Sequence, residues 1–374
     1  MGEDLEIIKM LRESVESFLQ SHETLPRKEA VLSEPLDLDQ SLWEEMAELG
    51  WLGLALPESM GGSGLGLREA TTLAEQFGLG AFPAPYIASA LMPSIVLSAC
   101  EGDDFAQGLT DELASGRRLF TIAWQDQLGE ISPDTPQTRL NLSDGKVYGV
   151  KRFVPYAKAD LTLLVSVNTG EEAAVVAIDA NAPGVSHKLC ATALGTVAEI
   201  TFNGAQILNG RPLLSGASAT DALNQSLEAG RITLAAQMAG LAEGCLARTI
   251  KYVTNRAQFG NPLGSLQSVR HRCVDLHSAT LLAKASWHHA LGAYESTPLV
   301  PETTAASSAA KARCADTALW VARESVQLHG AMGFTEEGGI GLYLRCAMAG
   351  SAWLGSPTAH RRRFLTARGV LDHA

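Results

Sequence analysis

The chain lacks a long apolar run, a paired cysteine motif and any excess of positive charge, and each lack removes a class of protein. No uninterrupted hydrophobic stretch in the 374 residues approaches the roughly 20 needed to span a bilayer. The N-terminus, MGEDLEIIKMLRESVESFLQ, is acidic and amphipathic, without the basic start and apolar centre of a signal peptide. The six cysteines, Cys100, Cys190, Cys245, Cys273, Cys314 and Cys346, form no CxxC pair, and four lie in helical-looking apolar segments. That spread fits buried, reduced thiols better than a disulfide frame or a zinc site. Lys and Arg number 29 against 41 Asp and Glu, so neither nucleic acid nor an anionic membrane is expected as the main partner. The one basic cluster, HRRRF at 360–364, reads first as a solvated or interface face and second as a phosphate grip. There is no internal repeat or low-complexity tract. A soluble, cytoplasmic protein is the expectation.

What is present is an ordinary globular composition, 46% hydrophobic and 19% charged, in a chain long enough for two or three packed units. Leu5, Ile8, Leu11, Val15 and Phe18 recur at helical spacing and predict an amphipathic helix. SLWEEMAELGWLGL predicts a second, with Ser41 as N-cap and an end at Gly50. LREATTLAEQFG predicts another, stopped by Gly78, and PYIASALMPSIVLSAC reads as a buried helix. The texture changes near Leu119, where short β-branched runs (RLFTIAWQ, TRLNLSDGKVYGVKRFVP, DLTLLVSVN, AAVVAIDA, VAEITFNGAQI) are broken by turn signals, SDGK among them. From Asp221 the chain is helical again. Leu227, Leu234, Met238, Leu241 and Cys245 line one helix face; Leu266, Val269, Cys273 and Leu276 line the next. An alanine-rich helix ends at Gly330 and a fourth begins near Gly341, together an antiparallel bundle. The fold expected is α+β and multidomain: an N-terminal helical domain (1–117), a central β-barrel or sandwich (118–213) and a C-terminal four-helix bundle (214–374).

Two segments at helix ends carry chemistry. Arg256 in RAQFG reads alone as a cation favoured by the helix macrodipole, and QLHGAMGFT (327–335) reads alone as a glycine-terminated helix and turn. Both stand at helix ends of one bundle, which is the more informative fact. At these positions the sequence resembles the acyl-CoA dehydrogenase family. YVTNRAQFGNPLGSLQSVRHRCVDL (252–276) is similar to the family's Arg-x-x-Phe-Gly segment with its following glutamine, here Gln267. QLHGAMGFTEEGGIGLYLR (327–345) is similar to its Gln-x-x-Gly turn with a trailing arginine. LALPESMGGSGLGLREATTLAEQFG (54–78) is similar to its N-terminal Pro-Glu-x-x-Gly-Gly-x-Gly segment. The resemblance spans nearly the whole chain and includes the helix–β–helix order.

The resemblance implies a flavoprotein that oxidises acyl-CoA thioesters with FAD. It implies that Arg256 grips the pyrophosphate, that Phe259 packs on the nucleotide, and that Gln327, Gly330 and Gly333 line its adenosine side, all reaching a FAD seated mainly on a neighbouring subunit. An obligate dimer follows, usually paired into a tetramer. The departures are as informative. The family's glutamate sits in Tyr-Glu-Gly-Thr, and that register here is Trp353-Leu354-Gly355-Ser356. The alternative glutamate precedes an arginine in the first bundle helix, and here Gly230 precedes Arg231. Leucine and glycine accept no proton. Glu228 is the nearest candidate base, with a solvated first-turn carboxylate as the plainer reading. In the β domain Phe153-Val154-Pro155 stands at the family's Trp-Ile-Thr, where proline offers neither N–H nor hydroxyl, and Trp124 either covers the flavin ring or packs in the core. Two explanations remain open: a homomeric flavoprotein with a displaced base or unusual substrate, or a subunit that completes the FAD site of a paralogous partner, as in mixed members that bacteria use for steroid side chains. Small residues at Ala229 and Gly230 leave room for a bulky or branched acyl group.

Overall fold

The computed structural model describes residues 2–22, 39–82, 84–156, 160–192, 195–258, 260–335 and 337–371. The first helices are α1 (Gly2–His22), α2 (Gln40–Glu48), α3 (Leu67–Leu79), α4 (Met92–Ser98) and α5 (Asp104–Ala114). The strands follow as β1 (Leu119–Ala123), β2 (Arg139–Asn141), β3 (Lys146–Pro155), β4 (Leu161–Asn168), β5 (Ala173–Asp179), β6 (Val185–Thr192), β7 (Gly195–Gln206) and β8 (Leu214–Ser215). Then come α6 (Gly216–Asn255), a ribbon of β9 (Ala257–Gln258) and β10 (Asn261–Pro262), α7 (Gln267–Ser296), α8 (Pro301–His329), α9 (Ile340–Ala352) and α10 (Pro357–Ala367). Helical regions thus flank a central mixed sheet, the α+β order that the sequence predicts. Contacts divide the chain into two compact units that interleave in sequence: Met1–Glu34 with Thr71–Ala84 and Arg231–Ala374, and Pro35–Ala70 with Pro85–Gly230.

The second unit holds the sheet, in the order β6-β7-β3-β2-β4-β5-β8 with β1 parallel to β4. β4 reads LTLLVSVN, is buried on both faces and pairs with β1, β2 and β5, as a continuous apolar run should. The SDGK turn closes the β2–β3 hairpin, with Gly145 N–H donating to Asn141 O at 2.9 Å. β6, VSHKLCAT, escapes the sequence pattern because it is an edge strand whose side chains are mostly exposed. PYIASALMPSIVLSAC is buried as predicted, but it opens with a π turn over Ile87–Leu91 before α4. Asp39, not Ser41, is the N-cap residue of α2, and the Ser41 hydroxyl donates to Asp39 Oδ1 at 2.7 Å.

In the first unit Gly78 does not stop α3, which runs on to Leu79. Its lack of a side chain serves packing. A Cβ on Gly78 would lie 2.0 Å from Gln237 O, one on Gly240 2.1 Å from Glu75 O, and one on Gly244 2.1 Å from Leu79 O. Only glycine fits at such distances, so α3 and α6 cross in backbone contact. Tyr343 of α9 donates to Leu79 O at 2.8 Å and accepts from Arg248 Nε of α6 at 3.0 Å, which ties a third helix to the crossing. The buried Glu75 carboxylate beside it meets Lys284 of α7 at 3.3 Å and Arg12 of α1 at 3.4 Å.

These distances decide a competition. Gly240→Ala gains about 1 kcal/mol of helix propensity but drives a methyl into a carbonyl, and overpacking costs roughly 1–3 kcal/mol or more. A net loss is expected from denaturant midpoints. Gly292→Ala on α7, where an added Cβ meets nothing within 4 Å, is expected to gain up to about 1 kcal/mol in the same assay.

Candidate functional site

α6 ends at Asn255 and Arg256 follows it. The Arg256 N–H still donates to Tyr252 O at 2.8 Å, and its carbonyl accepts from Leu263 N–H at 2.8 Å. The β9–β10 ribbon folds the chain back, so the start of α7 at Gln267 comes close behind Arg256. α8 ends at His329, and Gly330 (φ +60, ψ −135) turns the chain into a 3-10 turn, Gly330–Phe334. Tyr252 stacks on His329 with ring centroids 4.2 Å apart and donates to His329 O at 3.2 Å. Burial holds the His329 imidazole below its ordinary range, and its Nδ1–H donates to Ser325 O at 2.8 Å. A neutral ring therefore stacks there, and this one contact brings the RAQFG and QLHGAMGFT segments to one end of the bundle. Neither Tyr252 nor His329 stands out in the sequence; the signal was position, Tyr252 four residues before Arg256 and His329 within QLHGAMGFT itself.

Arg256, Gln267, Gln327 and Gly330 are exposed at that end. The Arg256 guanidinium makes no hydrogen bond or ion pair among the described residues. Phe334 is 84% exposed beside them, and Phe259 lies outside the described residues. Gly333 is buried, and a Cβ there would meet Val326 O at 2.6 Å, so packing alone accounts for that glycine. An exposed fork of donors, an amide and a bare glycine backbone suit a phosphate-bearing ligand that reaches this chain from outside.

The aromatic candidates belong to the second unit. Trp124 follows β1 and is buried; its carbonyl accepts from Lys151 Nζ at 3.1 Å and Ser166 Oγ at 3.2 Å. Lys151, fully buried on β3, also donates to Asp126 Oδ2 and Ser166 Oγ, both at 2.8 Å. The Asp126 carboxylate accepts in turn from Thr138 Oγ1 at 2.7 Å and from the Gln137 and Thr138 amides. Burial pushes Lys151 down to about 8 against the opposing pull of Asp126. Two residues on, Phe153 is 48% exposed at φ +52, and the β3–β7 register slips between Lys151 and Val154. A left-handed phenylalanine costs about 1–2 kcal/mol, and the Lys151 knot is the rigid support beside it. Pro155 ends β3 with no hydrogen-bond donor to offer. Phe153 supplies aromatic surface, whereas Val154 and Pro155 offer no side-chain hydroxyl at their two positions.

The two base registers differ in kind. Glu228 is 2% exposed, and because α6 begins at Gly216 it sits in the helix interior rather than in a solvated first turn. A carboxylate so buried needs a reason. Leu354 is 5% exposed at φ +56 in the turn between α9 and α10. Lys311 of α8, fully buried, donates to Gly350 O at 3.0 Å, Ser351 O at 3.2 Å and Gly355 O at 3.0 Å. His360 donates from Nε2 to Leu354 O at 3.0 Å. Within HRRRF, then, His360 is fully buried, Arg361 pairs with Asp316 at the surface, and Arg363 donates to Ser308 Oγ at 3.0 Å. Lys311 and Gln327 share α8 and stand 16 residues apart, roughly 24 Å at 1.5 Å per residue. Within one protomer the exposed Arg256 end and the Leu354 turn are separate places.

Burial pushes Lys311 down to about 7 and His360 down to about 2, and Arg231 adds to both shifts. A histidine that stays neutral in the fold but charges when unfolded removes stability as pH falls below about 6.5. From pH 7 to 5 that loss is about 2 kcal/mol. Thermal unfolding at both pH values is expected to show a smaller acid loss in His360→Gln than in the natural chain.

The comparisons with known proteins bear on the family and the fold. The acyl-CoA dehydrogenase N-terminal domain profile matches residues 6–100, and the C-terminal domain profile matches residues 220–368. The chain is 27% identical to acyl-CoA dehydrogenase IpdE2 of Mycobacterium tuberculosis over 95% of both chains. Among solved structures it is similar to a steroid ACAD variant, Tcur3481-Tcur3483, at a TM-score of 0.85 and 28% identity over 98% of each chain. It is also similar to the ChsE4-ChsE5 complex of Mycobacterium tuberculosis, at 0.86 and 25% over 98% of each. No helix among the described residues is long and apolar enough to cross a membrane. With the profiles, the full-length likeness and the two clustered motifs in agreement, the chain belongs to the acyl-CoA dehydrogenase family of flavin-dependent oxidoreductases.

Proposed function

We propose that this chain is a subunit of a cytoplasmic, FAD-dependent acyl-CoA dehydrogenase that forms a double bond between Cα and Cβ of an acyl-CoA thioester. The observation that carries the reading is the Tyr252–His329 contact, which gathers Arg256 and the Gln327–Gly333 segment with the guanidinium exposed and without a hydrogen-bond or ion-pair partner among the described residues. In this scheme Arg256 takes the pyrophosphate as a bidentate fork, Gln327 bonds the adenosine side, and Gly330 lets the backbone come close, while buried Gly333 serves the packing of the turn behind it. Phe259 packs on the nucleotide, and Gln267 closes the flank next to Arg256. Trp124 and Phe153 supply aromatic surface for the ring. The bound flavin supplies the acceptor for the hydride that leaves Cβ. Glu228 is the assigned proton acceptor, one carboxylate oxygen taking the Cα proton, because Leu354 and Gly230 have nothing to take it with. Ala229 and Gly230 leave space for a bulky acyl group.

The grip serves a dinucleotide seated mainly on a neighbouring protomer, so the working unit is an oligomer, with a dimer of dimers as the simplest form. On α7, Val274, Leu281 and Leu282 are 61%, 53% and 57% exposed, apolar surface of the kind that assembly covers. Leu354, Gly230 and Pro155 favour a second reading, in which a paralogous subunit provides the base and this chain completes its cofactor site.

Arg256→Ala is expected to weaken flavin retention about 10–100-fold, the worth of a charge-assisted pair of hydrogen bonds, read from the ratio of flavin to protein absorbance after gel filtration. Glu228→Gln is expected to lower kcat by about 100-fold or more with little change in KM. An unchanged kcat would remove Glu228 as the base. A purified chain that is colourless alone and takes up FAD only with a paralogue would favour the second reading.

A further inference from the structure

The Tyr252–His329 contact is arranged so that one proton decides its state. The His329 Nδ1–H donates to Ser325 O at 2.8 Å, which leaves Nε2 as the atom where a proton adds. Nε2 has no hydrogen-bond partner among the described residues, so an imidazolium would gain an N–H without an acceptor. The ring is 6% exposed and lies 4.2 Å from the Tyr252 ring at an interplanar angle of 21°. By helical position the charges on this side are Arg248 and Arg256, one turn before and after Tyr252. Both are cations and both oppose a further positive charge. Arg323 and Glu324 of α8 stand on other faces of the helix, and Glu324 pairs with Arg272 of α7 at 3.4 Å. The Gly330–Phe334 turn carries no charge. From α9, Tyr343 accepts from Arg248 Nε at 3.0 Å, and Arg345, two residues on, lies across that helix. Burial already holds the imidazole below its ordinary range.

What the contact fastens is a chain reversal with freedom of its own. Gly330 follows at φ +60, ψ −135, a region open in practice only to glycine, and a Cβ there would meet nothing within 4 Å. The Tyr252 hydroxyl donates to His329 O at 3.2 Å, in the last peptide plane before that reversal. On its other side the Tyr252 carbonyl accepts from the Arg256 N–H at 2.8 Å. We propose that Tyr252 and His329 are positioning residues that form a proton-sensitive clasp: the neutral imidazole holds the ends of α6 and α8 together, and protonation at Nε2 frees the Gly330 turn and loosens the hold on a dinucleotide. In the open clasp the ring meets water and titrates near pH 6.5, whereas the closed ring takes its proton only at lower pH. The closed form is therefore favoured most above pH 6.5 and loses ground as pH falls below it. Between pH 7.5 and 5.5 the open fraction grows about threefold to tenfold. The effect on the dinucleotide rests on the dehydrogenase reading above, whereas the opening of the clasp does not.

The test uses the full-length assembled protein loaded with FAD. Amide hydrogen exchange over residues 328–333, corrected for the intrinsic pH dependence of exchange, reads the clasp. The rate at which FAD fluorescence appears after dilution reads the consequence. Each is taken as the ratio of its value at pH 5.5 to that at pH 7.5. In the natural chain both ratios are expected to be about threefold to tenfold. His329→Phe keeps a ring to stack on Tyr252 and takes no proton there, so both of its ratios are expected near one. Tyr252→Leu removes the stack, and its exchange is expected to be fast at both pH values, again with a ratio near one. A natural-chain ratio of one in either measurement, or ratios in His329→Phe equal to those of the natural chain, would overturn the proposal. If the natural chain binds no FAD at either pH, the dehydrogenase reading and the effect on the dinucleotide fall together, and the exchange ratio still decides whether the clasp opens.

Discussion

Backbone contact between α3 and α6 is the constraint on which the first unit depends. Gly78, Gly240 and Gly244 remove every side chain that would hold the two helices apart, and Tyr343 then fastens α9 to the same crossing through Leu79 and Arg248. A helix fixed that closely has no freedom to roll. Its course to Asn255 therefore settles where Arg256 emerges, and the Tyr252–His329 stack carries the end of α8 to the same place. The chemistry at that end is a by-product of helix packing some three turns away.

Two buried lysines play the same physical part in different units. Lys151 and Lys311 each match three donors with protein oxygens, and each holds a turn next to a residue with positive φ, Phe153 in one case and Leu354 in the other. Strained residues persist only where the surroundings over-determine them. A buried cation with fully directed hydrogen bonds is well suited to that task, because any displacement of the turn exposes a charge to a low-dielectric interior. Lys151 adds a counter-charge in Asp126, while Lys311 relies on backbone carbonyls alone.

Much of the fold was legible because helical spacing and β-branched runs are local signals. The apolar face from Leu227 to Cys245 is buried as its spacing requires, and the SDGK turn forms its hairpin. That Arg256 and Gln327 stand near helix ends of one bundle was legible from the sequence, and the ends of α6 and α8 do meet through Tyr252 and His329; the ligand they are proposed to hold came from the family resemblance. Other features were hidden for a common reason, that burial is a long-range property. Nothing near Lys311 in its alanine-rich segment says that its ammonium will be enclosed, and His360 looks like part of a basic surface run until the turn before it closes on its ring. The plainer reading of Glu228 as a solvated first-turn carboxylate fails because Asp221 resembles a helix start, whereas α6 begins at Gly216, at φ +60. Gly78 has the appearance of a stop signal; what it provides is the close approach of two backbones.

The central claim is that the Arg256 end of one protomer completes a dinucleotide site that the Leu354 turn of the same protomer does not share. A crystal structure of the flavin-loaded assembly measures it directly. The account predicts the pyrophosphate within hydrogen-bonding distance of the Arg256 guanidinium of one protomer, with the flavin ring lying against the sheet of another. An Arg256 side chain left in solvent, or a dinucleotide held wholly within one protomer, would contradict it.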